Sequence, residues 1–426
     1  MDSREKMTVT VLGLWHLGCV TAACCAERFA VRGLDFDTET VAKLNEGHPP
    51  ISEPGLEELI RAGLSKGSLS FSGEVESVCA ATDLLWVCFD TPVDEQDRAD
   101  VDFVLWRVRQ CLAHLPPGAL VLISSQMPVG TCKRLRAEFP RFSFACSPEN
   151  LQLGRALDAF RKPERIIIGA NDEEARVRLQ WVFDHFCKNL LFVSPESAEM
   201  IKHALNSFLA TSVSFANEIA RLCELVGADA RQVEAGLKSD IRIGPRAYLS
   251  PGPAFAGGTL ARDVAILTEI AKQYSEKLVL IPAIKQSNDQ HKQWAFLKLQ
   301  RLLSDISKKT IAVLGLTYKP FTDTLRRSSS VELCRRLLEE QARVKAFDPA
   351  VKQIDLAGVT LCPSAAEALA GADAAVLATP WPEFRNLDWG AGVRGMHRPL
   401  VLDPHGFVRE QVRSLSKIEY HLVGGS

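Results

Sequence analysis

Compact apolar runs alternate with stretches of helical periodicity along nearly all of the 426 residues. Thr8 to Leu12, Val31 to Leu34, Leu84 to Phe89, Leu120 to Ser124 and Phe142 to Cys146 are short and largely apolar. Such runs suit strands covered on both faces of a parallel sheet. Thr310 to Leu314, Arg343 to Phe347, Ala374 to Leu377 and Leu400 to Leu402 repeat the pattern toward the other end. Between the two series the period changes. Ser194 to Gly227 reads SPESAEMIKHALNSFLATSVSFANEIARLCELVG and predicts one long helix. Ser194 suits the N-cap, Pro195 the first helical position and Gly227 the C′ position. Ile201, Leu205, Phe208, Phe215, Ile219 and Leu222 recur at helical spacing. At 1.5 Å per residue such a helix is about 48 Å long, enough to run through the body of a protein. Lys202 and Asn206 are four apart and point the same way.

Strand–turn–helix–strand units on both sides of this helix predict an α/β chain of two Rossmann-like, doubly wound domains. The long central helix joins them, and a helical segment continues to about Leu303. The expected domains are residues 1–193, 194–303 and 304–426, with Lys202 and Asn206 aimed into the cleft between the two halves. The helical segment is interrupted by Ser250 to Gly258 (SPGPAFAGG), then Thr259-Leu-Ala-Arg-Asp263. So many small residues imply backbone lying close to a ligand or another chain.

Candidate chemistry gathers at strand ends. The first strand opens onto Gly13-Leu-Trp-His-Leu-Gly18, followed by a helix, a second strand and Asp35. This order is the dinucleotide-binding pattern. Gly13 makes the tight turn, Gly18 lets helix and strand pack, and Trp15 and Leu17 lie on the turn, Trp15 where the motif has its second glycine. The helix N-terminus faces a pyrophosphate. Asp35 accepts hydrogen bonds from a ribose, which favours NAD over NADP. Later strands end at Asp90-Thr91-Pro92, at Ser125-Gln126 through Thr131, and at Ser147-Pro148-Glu149-Asn150. Ligands of open parallel sheets sit beyond the carboxyl ends of the strands, so these loops line one cleft; their polar residues serve equally as turn formers and caps. In the second series, Gly315 is followed by Tyr318 and by the cations Lys319 and Arg326, which suit a phosphate-bearing ligand other than the first.

Composition narrows the partners. A net charge of −2 with 46% hydrophobic residues excludes a strongly basic nucleic-acid binder. No apolar run is long enough to span a bilayer, and the N-terminus lacks a cleavable signal. Twelve cysteines occur without a CxxC pair or a Cys/His spacing suited to zinc. These features predict a reduced, cytosolic chain with no membrane contact and no metal.

Taken together, the stretches resemble the UDP-glucose/GDP-mannose dehydrogenase family over nearly the whole chain. The resemblance rests on the Gly13–Gly18 turn with Asp35 and Asp37, Glu53-Pro54-Gly55-Leu56, Thr91-Pro92, Pro128-Val129-Gly130-Thr131 and Ser147-Pro148-Glu149. It continues through Ala198 to Lys202 with Asn206, Arg242-Ile243-Gly244, Gly257-Gly258 with Asp263, Lys319-Pro320 with Thr322, Asp323 and Arg326, and Thr379 with Trp381 to Phe384. It implies an NAD domain, a central helical dimerisation domain and a nucleotide-sugar domain in a cytosolic homodimer. It also implies oxidation of the C6 alcohol of a nucleotide sugar to a carboxylate with two NAD, through a cysteine-bound thioester. By position, Lys202 stabilises charge on the C6 oxygen, Asn206 helps hold that oxygen, and Asp263 orients water and the lysine. Glu149 binds substrate or assists proton transfer. Thr91 and Gln126 lie on the cofactor side. Phe255 and Gly257 belong to the substrate loop, Arg242 reaches the partner chain's site, and Lys319 and Arg326 bind the nucleotide sugar.

Where the family reads roughly G-F-G-G-S-C-F-P-K-D, this chain reads Ala254-Phe-Ala-Gly-Gly-Thr-Leu-Ala-Arg-Asp263, so Thr259 occupies the cysteine position. A threonine hydroxyl is a far poorer nucleophile than a thiolate. Gln126 stands for the family's threonine, Leu153 for a second glutamate and His405 for an arginine. Three activities follow as expectations: oxidation at C6 through an aldehyde hydrate held by Thr259, Asp263 and Lys202; a single oxidation or an epimerisation; or binding without turnover.

Overall fold

The computed structural model describes residues 7–92, 99–149, 151, 153–255 and 258–425. It divides into two compact units between Leu205 and Asn206. The first holds β1 (Thr8–Leu12), β2 (Ala30–Leu34), β3 (Leu69–Ser72), β4 (Leu84–Val87), β5 (Leu120–Ile123), β6 (Ser143–Cys146), β7 (Ile166–Gly169) and β8 (Leu190–Val193). They form one sheet in the order β3-β2-β1-β4-β5-β6-β7-β8, parallel except where β7 meets β6. The second unit has β9 (Thr310–Leu314), β10 (Arg343–Phe347), β11 (Val359–Leu361), β12 (Ala374–Leu377), β13 (Leu400–Leu402) and β14 (Glu419–His421). Its order is β11-β10-β9-β12-β13-β14, all parallel. Both sheets reverse direction of growth beside their first strand, the doubly wound arrangement expected.

The strands read from the apolar pattern are the central ones. β1, β4, β5, β9 and β12 are almost wholly buried, so nearly every position is apolar, and the buried Thr10 hydroxyl is met by Thr82 at 2.7 Å. The pattern left out β3, β8, β11 and β14, which lie at sheet edges; β3 mixes buried with exposed positions, and the other three are at most partly buried. It also left out β7, the apolar segment Ile166–Gly169.

The long helix spans Pro195–Val226 as one element of 32 residues. Ser194 Oγ accepts from Ser197 N at 3.2 Å, and Gly227 follows with φ +75°. The apolar stripe packs only in part, through Ile201 and Ile219. Phe208, Phe215 and Leu222 are 68%, 46% and 56% exposed. The buried side carries His203, Asn206, Ser207, Ala210, Ser214, Ala216, Asn217, Ala220 and Cys223. Small side chains let neighbouring backbone come close, and the polar ones find partners there. Among the described residues no helix is long and apolar enough to cross a membrane.

One consequence is a clamped loop in the second unit. Asn217 Oδ1 accepts from Gly252 N at 3.0 Å, and its Nδ2 donates to Pro253 O at 3.3 Å. Asn288 pairs with Phe255 in both directions, each bond 2.9 Å. His291 Nε2 donates to Gly252 O at 2.8 Å. Asn217, Asn288 and His291 are all buried, so the loop 250–255 is held by groups that cannot turn to water. Burial pulls the His291 pKa from 6.5 down to about 4. Unfolded chains therefore take up a proton between those values and the folded protein does not. This histidine's contribution to stability is complete above pH 6.5 and lost as pH falls toward 4. The His291→Gln variant is expected to lose that segment of slope, worth at most about 3 kcal/mol. Urea melts at several pH values check it; identical slopes in both proteins would refute it.

Candidate active site

In the first unit the turn after β1 is built as a dinucleotide cradle. Gly13 has φ +92°, and its N donates to Leu34 O at 2.9 Å. A Cβ on Gly18 would lie 1.7 Å from the Gly13 carbonyl oxygen, so helix His16–Cys25 can approach only with glycine there. That helix has no side-chain cap and no acid in its first turn, which leaves its N-terminal amides suited to an anion. Trp15, at the N-cap, takes ordinary extended backbone angles and is 49% exposed, so the missing second glycine does not distort the turn. Leu17 is buried. Asp35, partly exposed at the end of β2, accepts from Leu14 N at 2.6 Å and from Asp37 N at 3.1 Å. The residues present fit NAD: open glycine backbone, uncapped helix end and an acid at the second strand.

The loops after β4, β5 and β6 come together as expected. Thr91 Oγ1 donates to Gln126 O at 2.8 Å. Trp86 Nε1 donates to Ser124 Oγ at 2.9 Å, and Ser124 Oγ to Ser147 O at 2.7 Å. Lys202 Nζ donates to Glu149 O at 2.6 Å, which fixes the ammonium at the end of β6. Burial raises the Glu149 pKa, against the pull of Lys202 and of the Leu151 N–H that its Oε2 accepts. A carboxyl so placed exchanges a proton closer to neutrality than an exposed glutamate does.

In the second unit, Asn206 Nδ2 donates to Asp263 Oδ2 at 2.5 Å, and both residues are buried. Asp263 lies on helix Thr259–Gln273, one turn beyond Thr259, so the two share a face. Thr259 is the first residue of that helix and is exposed, following Gly258 at φ +108°. Phe255 is half-buried in the clamped loop. Gly257 lies outside the described residues. Arg242 projects from the surface and is forked onto Asp240 at 2.7 and 3.0 Å.

Lys319 and Arg326 stand in the loop after β9, Arg326 exposed. This loop is braced from beneath. Asp348 Oδ2 accepts from Leu316 N at 2.7 Å, Thr317 N at 3.0 Å and Trp381 Nε1 at 3.0 Å. Phe321 and Arg327 have φ of +63° and +59°, a left-handed backbone unusual for such residues. His405, in the position of the family's arginine, donates through Nε2 to Ala378 O at 3.3 Å, and burial lowers its pKa. It brings no fixed charge to the site.

Sequence reasoning missed the residues that hold others in place. Asn217, Asn288 and His291 are scattered polar residues within helical stretches, with no spacing to mark them. The fold also brings Cys132, Cys146 and Glu199 within 4.8 Å, although no metal-type spacing joins them. Glu199 accepts from Gly130 N at 2.5 Å and Cys132 N at 3.0 Å, and so serves as a cap for helix Thr131–Glu138. All twelve cysteines are buried and free, and burial raises the Cys19 and Cys334 pKa values to about 12.

Known proteins match this arrangement along the chain. Residues 7–187 match the NAD binding domain of the UDP-glucose/GDP-mannose dehydrogenase family, 196–290 its central domain and 312–410 its UDP binding domain. The UDP-glucose 6-dehydrogenase of Pseudomonas aeruginosa is 35% identical over 421 residues, covering 93% of each chain. That of Rhizobium meliloti is 32% identical over 437 residues, covering 98% of this chain and 99% of its own. A UDP-glucose dehydrogenase from Pyrobaculum islandicum superposes with a TM-score of 0.87 at 32% identity, covering 100% of this chain and 99% of that one. A UDP-D-ManNAc dehydrogenase from Pyrococcus horikoshii gives 0.86 at 26% identity, covering 98% and 99%. With a glycine cradle for NAD and three consecutive domain matches, the chain belongs to the UDP-glucose/GDP-mannose dehydrogenase family, whose members are NAD-dependent nucleotide-sugar dehydrogenases.

Proposed function

We propose that the protein oxidises a UDP-glucose-like nucleotide sugar at C6 by a route that uses no thioester. Residues 1–193 would bind NAD, 194–303 would mediate dimerisation and 304–426 would bind the nucleotide sugar. The observation that carries the reading is the buried Asn206–Asp263 pair, with Thr259 one turn before Asp263 on the same helix. The Gly13–Gly18 turn, Asp35, Thr91 and Gln126 would hold NAD, which would supply the hydride acceptor. Lys202 stabilises negative charge on the C6 oxygen as the hydride leaves. Asn206 holds that oxygen, and its bond to Asp263 fixes the amide's orientation. Asp263 and Thr259 would hold the water that hydrates the aldehyde, and transfer of a second hydride from that hydrate to a second NAD would give the carboxylic acid and release a proton. Glu149 takes part in substrate binding or proton transfer, and Phe255 and Gly257 shape the sugar site. Lys319 and Arg326 bind the nucleotide's phosphates. No thiol can substitute for Thr259 without rearrangement, because every cysteine is buried.

The homodimer is supported by the exposed row Phe208, Phe215 and Leu222, spaced by seven on the long helix. Apolar groups so arranged match a second copy of the helix better than they match water. Arg242, exposed on the loop after helix Ala230–Ser239, would reach the partner's site. Twelve unpaired cysteines suit a reducing, cytoplasmic setting.

Four outcomes are expected. Replacing Lys202 with Ala should reduce NADH formation by roughly a hundredfold or more, as loss of an oxyanion-stabilising group does; wild-type turnover would sink the mechanism. Counting NADH per nucleotide sugar, with products identified by mass spectrometry, should give two NADH and a uronic acid. Iodoacetamide treatment of the native protein should leave that ratio unchanged. One NADH with an aldehyde would mean that loss of the thiol truncates the reaction, and an unaltered ratio in Thr259→Ala would remove that hydroxyl from it. Finally, Phe215→Glu should shift the mass measured by light scattering from dimer to monomer; a monomeric wild type would overturn the dimer.

A further inference from the structure

Glu53 belongs to the Glu53-Pro54-Gly55-Leu56 motif, and neither step above uses it. It is 6% exposed and sits just before helix Leu56–Lys66. Its carboxylate has three donors. Oε2 accepts from His16 Nε2 at 3.0 Å and from Gly154 N at 2.8 Å; Oε1 accepts from Ala156 N at 2.9 Å. Burial opposes the charge, but the two backbone N–H groups and His16 outweigh it and hold the Glu53 pKa below the usual range.

The donors come from two functional segments. His16 is the first residue of the helix that starts on the Gly13–Gly18 turn. Gly154, with φ +91°, and Ala156 end the loop that carries Glu149 and begin helix Ala156–Arg161. That loop in turn holds Lys202 through the Glu149 carbonyl. We infer that Glu53 is a positioning residue that couples the NAD turn to the loop bearing Glu149. Movement of the His16 end when NAD binds is passed through one ionised carboxylate to Gly154 and Ala156. A purely structural brace would need only the two loop amides. The His16 side chain, 15% exposed and aimed back at Glu53 from the cofactor turn, is what makes the carboxylate a link between them.

The inference rests on the NAD site assigned above but not on the identity of the sugar or the number of oxidations. Its test therefore reads binding. Hydrogen–deuterium exchange is followed on the full-length protein with and without NADH. In the wild type, NADH is expected to slow exchange of the Gly154–Ala156 amides several-fold. His16→Leu keeps both loop amides on Glu53 but cuts the tie, and should abolish that response while NADH still binds. His16→Gln, whose amide can donate to Glu53, should restore it. At saturating NAD and sugar, kcat of His16→Leu should fall roughly tenfold, the scale of a small misplacement of reacting groups, with Tm unchanged. NADH protection of the loop in His16→Leu equal to wild type would overturn the inference. So would a His16→Gln protein that behaves like His16→Leu, or a loss of turnover that only follows a fall in Tm. Failure of the reading of the reaction itself would show differently, as normal NADH-dependent protection without sugar oxidation.

Discussion

A helix that packs through small and polar side chains must give each buried polar group a partner, and that requirement organises both units. Lys202 meets the Glu149 carbonyl, and His203 Nε2 donates to Met127 O at 3.0 Å. Asn206 meets Asp263, and Asn217 meets Gly252 and Pro253. Each bond stabilises the helix modestly, by about 1 kcal/mol, but leaving any of these groups unmet would cost more. All but the Asn206 bond, which ends on helix Thr259–Gln273, also end on a loop. The bonds that satisfy the helix are thus the bonds that place the loops, and the residues proposed for the chemistry are among them.

The two sheets use one turn for different ends. In both, a glycine with φ +92° follows the first strand and donates to the end of the second, to Leu34 O or Phe347 O. In both, the next residue's N–H is accepted by an acid just past the second strand, Asp35 or Asp348. Asp35 stays partly exposed, and its helix follows at once with open amides. Asp348 is buried and accepts several donors on one oxygen, which seals the turn. A sealed turn offers a ligand no ribose-binding acid. In the proposed reading, recognition in the second unit would fall instead to the loop beyond it, where Lys319 and Arg326 stand, within the stretch that matches the family's UDP binding domain.

In the proposed reading, the residues that would stabilise an oxyanion are kept, and a hydroxyl stands where the family resemblance places the covalent nucleophile. Lys202, Asn206 and Asp263 are fixed by direct hydrogen bonds or by burial, whereas Thr259 is exposed at a helix start. A hydroxyl there can hold water but lacks the thiolate's nucleophilicity. Buried thiols with raised pKa values elsewhere offer no replacement.

Local signals carried much of this protein. Apolar strands flanked by Gly13, Gly18, Asp35 and Gly315 specified two doubly wound sheets, because backbone turns and continuous apolar runs are properties of neighbouring residues. Ser194, Pro195 and Gly227 bounded the long helix for the same reason. Which face of that helix packs was decided by tertiary structure, since periodicity shows that a face exists and not what covers it. Phe208, Phe215 and Leu222 look like a core and lie outside it. The reach of Glu53 to His16 and Gly154, and the clamp of Asn288 on Phe255, join residues 33 to 101 positions apart. No spacing in a sequence encodes such contacts, because they depend on where the folded chain brings separate loops together.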